Sequence, residues 1–595
     1  MTALSERSGQ QTKTAIVTGA TGFIGSVLCR MLLERGWRVY AIVRSTSPHI
    51  ARLPEHSRLA RIEGDLRTIA AWGPQLAGER AHFTAFYHLA WDGVGRDRRN
   101  DEEQADNIEL ALATVRLASE LNCSAWIGTG SQAEYGRLEG RADETHPEQP
   151  TTAYGLAKLS AGRRAIELSA ALGIPAYWLR VFSIYGPGDN EGWLMTDCIR
   201  QLLDGDRPQL TAGEQRWDYL YVDDAARALI AIADHGGGRA PGVYNLGSGE
   251  SRTVKEIVAM IRDEAASGLE LVFGELPYRD DQVMHLEADI TLLAAVAGWR
   301  PHISLRQGIA STVQAERRRR EHERYLSVKR AIVTMAYKSG VSHVGAALSV
   351  ADIVYTLYAF IMRVDPRRPD WPERDKLVFS KAHGSSALYA VLAKQGFFPQ
   401  QHLGRYCVDG GLLPGHLDRT CAPGIDVSAG SLGHGLPIAV GMALADRLAG
   451  RSNRVFAILG DGECNEGAVW EAAMLAAARH LSHLTVIVDC NGLQGFDATE
   501  GLMPQSSLLA RWTAFGWDAS EVNGHDPGSL IRALQPAAGG KPTVLLARTI
   551  KGCGVDFMEG RLEWHYKSPS REQWELALRQ LGGATACEAP FSERS

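Results

Sequence analysis

Short apolar runs alternate along this chain with stretches whose apolar positions recur at helical spacing. Thr14–Thr18 (TAIVT) is a β-branched run closed by glycine, and residues 27–35 follow with a helical pattern. Arg38–Val43 (RVYAIV) predicts a second strand, and residues 86–89, 126–129 and 177–181 continue the alternation. After residue 330 the pattern starts again. Residues 455–459 (VFAIL) and 484–488 (LTVIV) read as buried strands, with an alanine-rich helix over 470–478 between them. Strands alternating with helices predict α/β architecture, a parallel sheet with helices on both faces, in each half. No sequence repeat links the halves, so two unrelated enzymes joined near residue 320 are expected.

The join itself is polar. Residues 314–330 include AERRRREHERYLSVKR, a charge density that suits a solvated helix or a linker. Glutamates interrupt its basic run, and net charge is −6 from 63 basic and 69 acidic residues, so nucleic-acid binding has no electrostatic support. The expected division is 1–313, a charged 314–330, and 331–595. A hydrophobic fraction of 45 % and a charged fraction of 22 % exclude a disordered chain, a collagen and a coiled-coil rod. Nine cysteines without a CxxC pair read as reduced thiols, neither a disulfide framework nor a zinc site. The polar N-terminus has no apolar signal core. The most apolar long stretch, residues 351–362, carries Asp352 and falls short of the roughly twenty residues of a membrane span. A cytoplasmic protein without membrane association is the expectation.

The candidate chemistry of the first half starts at Gly19-Ala20-Thr21-Gly22-Phe23-Ile24-Gly25, between the first strand and the first helix. Glycines there let a backbone approach a pyrophosphate, and the helix N-terminus offers N–H groups. The second strand ends on Arg44, where a carboxylate would bind ribose hydroxyls. A cation suits a 2′-phosphate, so NADP is favoured over NAD. Asp65-Leu66, after the third strand, fits an adenine contact. Tyr154 and Lys158 share one face of a helix. A lysine cation favours tyrosinate, so the phenol can exchange a proton with a carbinol during hydride transfer. Ser131, in GSQAEYG, is placed to hold the same oxygen.

These residues make 1–313 resemble the extended short-chain dehydrogenase/reductase family that acts on nucleotide sugars. The resemblance includes LRVFSIYGP at 179–187, YLYVDD at 219–224 and VYNLG at 243–247. It implies a Rossmann-type doubly wound sheet with a smaller C-terminal lobe over the sugar nucleotide. Family members that dehydrate sugars carry an Asp-Glu pair after the catalytic hydroxyl residue. Here those positions are Gln132 and Ala133, with Glu134 one place late and facing elsewhere if the segment is extended. A ketoreductase or epimerase is therefore expected rather than a dehydratase. Trp217 stands where an arginine is common, which leaves Arg216 and Arg279 as candidates for the diphosphate.

In the second half, Gly460-Asp461-Gly462 follows one strand and Asn491 follows the next. Asp461 and the Asn491 amide oxygen are hard ligands suited to Mg²⁺, with the Gly462 N–H against a phosphate. Both at strand ends, they signal thiamine diphosphate. Residues 324–569 resemble the N-terminal, diphosphate-binding half of transketolase. The matching stretches are SHVGAALS, RDK with SKAHGS, LPGHL, SAGSLGHG and WHYK. By that resemblance His343, His383, His416 and His565 line the substrate channel, where they bind a donor and move protons. Leu432 packs on the cofactor ring, and Glu466 matches a glutamate facing the pyrimidine-binding domain. That domain is expected from a separate subunit, so an oligomer with a transketolase C-terminal half is expected. A two-carbon ketol unit added to a keto-sugar nucleotide leaves a new ketone for a reductase. The expected substrates are accordingly a nucleotide sugar and a ketose donor, in branched-chain sugar biosynthesis, the alternatives being two unlinked activities fused for co-expression or a transketolase half that docks a partner without turnover.

Overall fold

The computed structural model describes residues 12–583 apart from 80–81, 236–239, 280–281, 505–506 and 537–538. The described chain forms two compact units that divide between Arg318 and Arg319. The charged stretch around that point is the middle of one helix, Leu305–Ser339. Charged residues face solvent there without breaking helical hydrogen bonding, because arginine and glutamate are good helix formers.

The first unit is built on seven parallel strands in the order Gly242–Leu246, Ala176–Val181, Trp126–Ser131, Ala85–His88, Thr14–Thr18, Arg38–Val43, Leu59–Glu63. The order reverses beside Thr14–Thr18, which opens a crevice at the carboxyl ends of the strands. Apolar side chains pack on both faces of this sheet, Leu28, Leu32 and Leu229 on one and Trp72, Leu112 and Trp178 on the other. The helix Phe23–Glu34 starts earlier than the apolar spacing predicts, because extended Gly22 caps it ahead of the first regular apolar positions. A smaller lobe carries a second sheet, in which Ser251–Thr253, Arg216–Tyr221, His285–Ala288 and Glu139–Ala142 are adjacent.

The second unit holds five parallel strands in the order Lys376–Phe379, Val455–Gly460, Leu484–Cys490, Thr543–Arg548, Asp518–Asn523. Both central strands are almost wholly buried, so they read as continuous apolar runs without alternation. Among the described residues, Val344–Ile361 is a helical run long and apolar enough to cross a membrane, longer than the sequence pattern suggests. It is 83 % buried inside the unit, and its Asp352 pairs with Lys329 at 2.9 Å and His525 at 2.7 Å. The eight described cysteines are all free thiols.

Candidate active sites

In the first unit the glycine turn is fixed by space and by dihedral angle. Gly19 has φ +68°, and a Cβ there would lie 2.7 Å from Ala90 N. Gly22 donates its N–H to the Gly19 carbonyl at 2.9 Å and caps the helix Phe23–Glu34 with no side chain over its end. That helix end faces a cavity of about 980 Å³, which Gly19, Gly22, Phe23, Ile24, Gly25, Arg44, Asp65 and Leu66 all line. Arg44 leaves the second strand and pairs with Asp92 at 3.3 Å, while Arg67 holds the other Asp92 oxygen at 2.7 Å. Asp65 accepts the Arg67 N–H at 2.8 Å and so caps the turn Leu66–Thr68. The volume of the cavity and a helix end with no side chain over it fit a dinucleotide.

Ser131, Tyr154 and Lys158 line the same cavity. Thr152 caps the helix Ala153–Leu172, and the Tyr154 N–H donates to the Arg99 carbonyl at 2.8 Å. Burial pushes the Tyr154 phenol up, while the Ser131 hydroxyl and the Arg99 guanidinium pull it down. Lys158 sends its ammonium to the Thr129 carbonyl at 2.7 Å and over the Trp91 ring at 3.7 Å, 5.8 Å from the Tyr154 ring centre. Burial lowers Lys158 to about 7, partly opposed by Glu134. Arg99, its guanidinium carbon 5.3 Å from the ring centre, is thus a second cation beside the phenol. Sequence spacing gave no signal for it, since a loop arginine has no fixed offset from a helix.

Three expectations change. Glu134 does not lie on an extended segment: residues 132–134 form a tight helical turn that carries its carboxylate inward. There it accepts from the Ser131 N–H at 2.8 Å, Trp178 at 3.0 Å and Arg180 at 2.8 Å, a buried ion pair away from the cavity. Arg216 turns to the Ser251 carbonyl at 2.8 Å and leaves the cavity wall to Trp217 and Arg279. In the second unit the Gly462 N–H, expected against a phosphate, donates to the Asp461 carboxylate at 2.8 Å.

Asp461 and Asn491 follow adjacent parallel strands. Asp461 also accepts from the Gly492 N–H at 2.8 Å and Thr499 at 3.2 Å. Burial and the neighbouring Asp489 charge push its carboxyl up, an electrostatic strain that a divalent cation would relieve. Asn491 accepts the Leu493 N–H at 3.1 Å and donates to Ser349 at 3.1 Å, so its oxygen side is held in place with a lone pair to spare. These donors fit Mg²⁺. Sequence reasoning missed the groups behind them. Buried Lys381 pairs with Asp489, which also accepts from Ser349 and Thr549. Glu463 binds Ser380, the Gly433 N–H at 2.9 Å and the Gly460 N–H at 3.1 Å, holding the glycine strand end to the loop of Leu432. Leu432 is part exposed, and Glu466 caps the helix Gly467–Ala478 beside Gly433.

The histidines converge. Ring centres lie 4.8 Å apart for His343 and His565, 5.4 Å for His343 and His383, and 5.8 Å for His383 and His565. His416 adds its field at His343. His343 sits at φ +75°, donates its N–H to the His565 carbonyl at 3.0 Å, and has a buried Nδ1 with no partner. Lys551 approaches His565 Nδ1 at 2.9 Å. Burial, then neighbouring cations, lower His343 and His565 to about 4 and His383 well below the usual range.

Residues 15–247 match the NAD dependent epimerase/dehydratase family, and residues 321–589 match the thiamine diphosphate binding domain of transketolase. The 6-deoxy-6-sulfo-D-fructose transketolase subunit SqwG of Clostridium sp. (strain MSTE9) is 44 % identical over 246 residues, 41 % of this chain and 90 % of that protein. A transketolase of Pongo abelii is 35 % identical over 41 % of this chain but only 39 % of its own length. UDP-glucose 4-epimerase of Thermotoga maritima, solved with UDP-glucose, is 24 % identical over 51 % of this chain and 99 % of its own, with a TM-score of 0.46. The chain belongs to the transketolase family through its second unit, and its first unit carries an NAD dependent epimerase/dehydratase domain.

Proposed function

We propose that the chain reduces or epimerises a nucleotide sugar in its first unit and contributes half of a two-carbon ketol transferase in its second. The observation that carries the first reading is the meeting of Ser131, Tyr154 and the glycine turn in one cavity whose wall has Gln132 where elimination needs a carboxylate. A bound nicotinamide dinucleotide supplies the hydride. Tyr154 gives its phenolic proton to the carbonyl oxygen as the carbinol forms, and the Ser131 hydroxyl holds that oxygen. Gly19, Gly22, Phe23, Ile24 and Gly25 cradle the pyrophosphate. Arg44 meets a 2′-phosphate, which favours NADP, and Asp65 and Leu66 border the adenine.

In the second unit Asp461 and Asn491 hold Mg²⁺, and the segment Gly460–Gly462 with Leu432 borders thiamine diphosphate, which supplies the two-carbon carrier. His343, His383, His416 and His565 bind the donor and move protons. Lys551 donates to His565 Nδ1, so the exchangeable proton of that ring sits on Nε2. A relative named as a subunit is spanned almost entirely, whereas a transketolase named without that word is spanned by well under half. This supports a separate subunit that carries the pyrimidine-binding half, with Glu466 toward it. Extension of a keto-sugar nucleotide followed by reduction of the new ketone joins the two units in branched-chain sugar synthesis.

The test is mass spectrometry of nucleotide sugars with this chain, a ketose phosphate and the partner subunit. A two-carbon-extended, reduced nucleotide sugar is expected. Transfer that never reaches a nucleotide sugar would leave two unlinked activities, and robust transfer by the lone chain would remove the split site.

A further inference from the structure

Arg99 is held against the reacting phenol by backbone rather than by charge. Its carbonyl takes the Tyr154 N–H at 2.8 Å, and the next residue, Asn100, takes the Ala153 N–H at 3.3 Å. The two residues thereby cap the first turn of the helix that carries Tyr154, and any shift of that helix moves Arg99 with it. The guanidinium carbon lies 5.3 Å from the Tyr154 ring centre and 5.7 Å from that of Trp193. Flanked by two aromatic rings, the planar fork is oriented in advance of any ligand. Arg99 lines the cavity, its Nε is buried with no hydrogen-bond partner, and among the described residues no carboxylate pairs with it. The carboxylates that line the cavity are Asp92, held by Arg44 and Arg67, Asp65, which caps its own turn, and Asp189, which accepts the Asn190 N–H at 2.8 Å. A buried N–H of a permanent cation, left without an acceptor beside the phenol, calls for an anionic acceptor.

We propose that Arg99 binds an anionic group on the sugar, borne next to the carbon whose oxygen faces Tyr154, so that the first unit selects an acidic sugar nucleotide, a hexuronate type. The inference rests on the nucleotide-sugar reading above. A carboxylate two bonds from the reacting carbon accepts from the Arg99 fork. The same contact draws guanidinium charge away from the phenol, which couples recognition of the acid to the proton donor.

Calorimetric titration of UDP-glucuronate and UDP-glucose into the full chain with NADP⁺ present tests this. Wild type should bind the acidic sugar at least about tenfold more tightly, as expected for a charge-assisted contact. Arg99→Gln should erase the difference by weakening the glucuronate alone, and Arg99→Lys should restore part of it. Thermal unfolding of each variant near the wild-type temperature confirms that the helix cap, a backbone contact, survives. Equal binding of the two sugars by wild type, or a preference that persists in Arg99→Gln, overturns the role of Arg99 and leaves the nucleotide-sugar reading standing. Absence of binding by either sugar overturns that reading and the assignment with it.

Discussion

Lys551 places its ammonium 2.9 Å from Nδ1 of His565. Two groups that each carry a proton readily are thus set donor to acceptor. Burial keeps both below their ordinary range, Lys551 at about 8 and His565 at about 4, and each added cation in the cluster deepens the effect. Near neutral pH His343, His383 and His565 are uncharged imidazoles beside a charged lysine, the state in which imidazoles can accept protons.

That arrangement ties stability to pH. His343 and His565 titrate near 4 in the folded chain and near 6.5 when unfolded. Between those values the unfolded chain binds more protons, so stability falls as pH drops from 6.5 toward 4. The urea midpoint should be lower at pH 5 than at pH 7. In His343→Asn the difference should shrink, and an unchanged difference would remove this imidazole from the account.

Tyr154→Phe should lower NADPH-dependent reduction of a keto-sugar nucleotide by on the order of 10²-fold or more, with nucleotide binding intact, because only the proton donor is lost. Stopped-flow oxidation of NADPH reports the step directly. Turnover near wild type would reject the phenol.

Arg44→Ala should lose any preference for NADPH over NADH. A charge-assisted bond to the 2′-phosphate is worth about 1.5–3 kcal/mol, and the existing Asp92 pair takes up part of that. Parallel titrations of both cofactors decide it. The same preference in both proteins would exclude Arg44.

Asp461→Ala should abolish Mg²⁺-dependent thiamine diphosphate binding and block rescue of ketol transfer by the partner subunit. Tyr154→Phe should leave rescue intact and accumulate the unreduced, extended product. Cofactor fluorescence quenching and product mass separate the two variants. Full rescue of Asp461→Ala would move the metal elsewhere.

Glu134→Ala should destabilise the first unit by roughly 3–5 kcal/mol, since it leaves Arg180 buried with one carboxylate fewer. Chemical denaturation followed by tryptophan fluorescence, with Trp178 in contact with Glu134, is the measurement. A loss below about 1 kcal/mol, the size of an exposed pair, would contradict the buried geometry.

Much of both units was legible because apolar runs and glycine turns are local signals. The strands Thr14–Thr18 and Arg38–Val43 fall where the alternation puts them, and Tyr154 and Lys158 share a cavity because one helical turn separates them. The residues that escaped are those whose partners lie far along the chain. Arg99 meets Tyr154 only through a loop folded onto a helix end. Lys381 and Asp489 meet inside a core, where sequence shows two ordinary surface residue types. Glu134 faces away from the cavity as expected, but through a tight turn over 132–134 capped by Ser131 rather than an extended segment, and that cap has no signal in the strand alternation.

The left-handed backbone at His343 has a practical consequence. Glycine would occupy φ +75° without steric cost, so His343→Gly would relax the turn even as it empties the centre of the imidazole cluster. Selection of variants of this chain for heat resistance alone would therefore reward a change that disperses the histidine cluster, so thermal robustness and the proposed activity must be screened together.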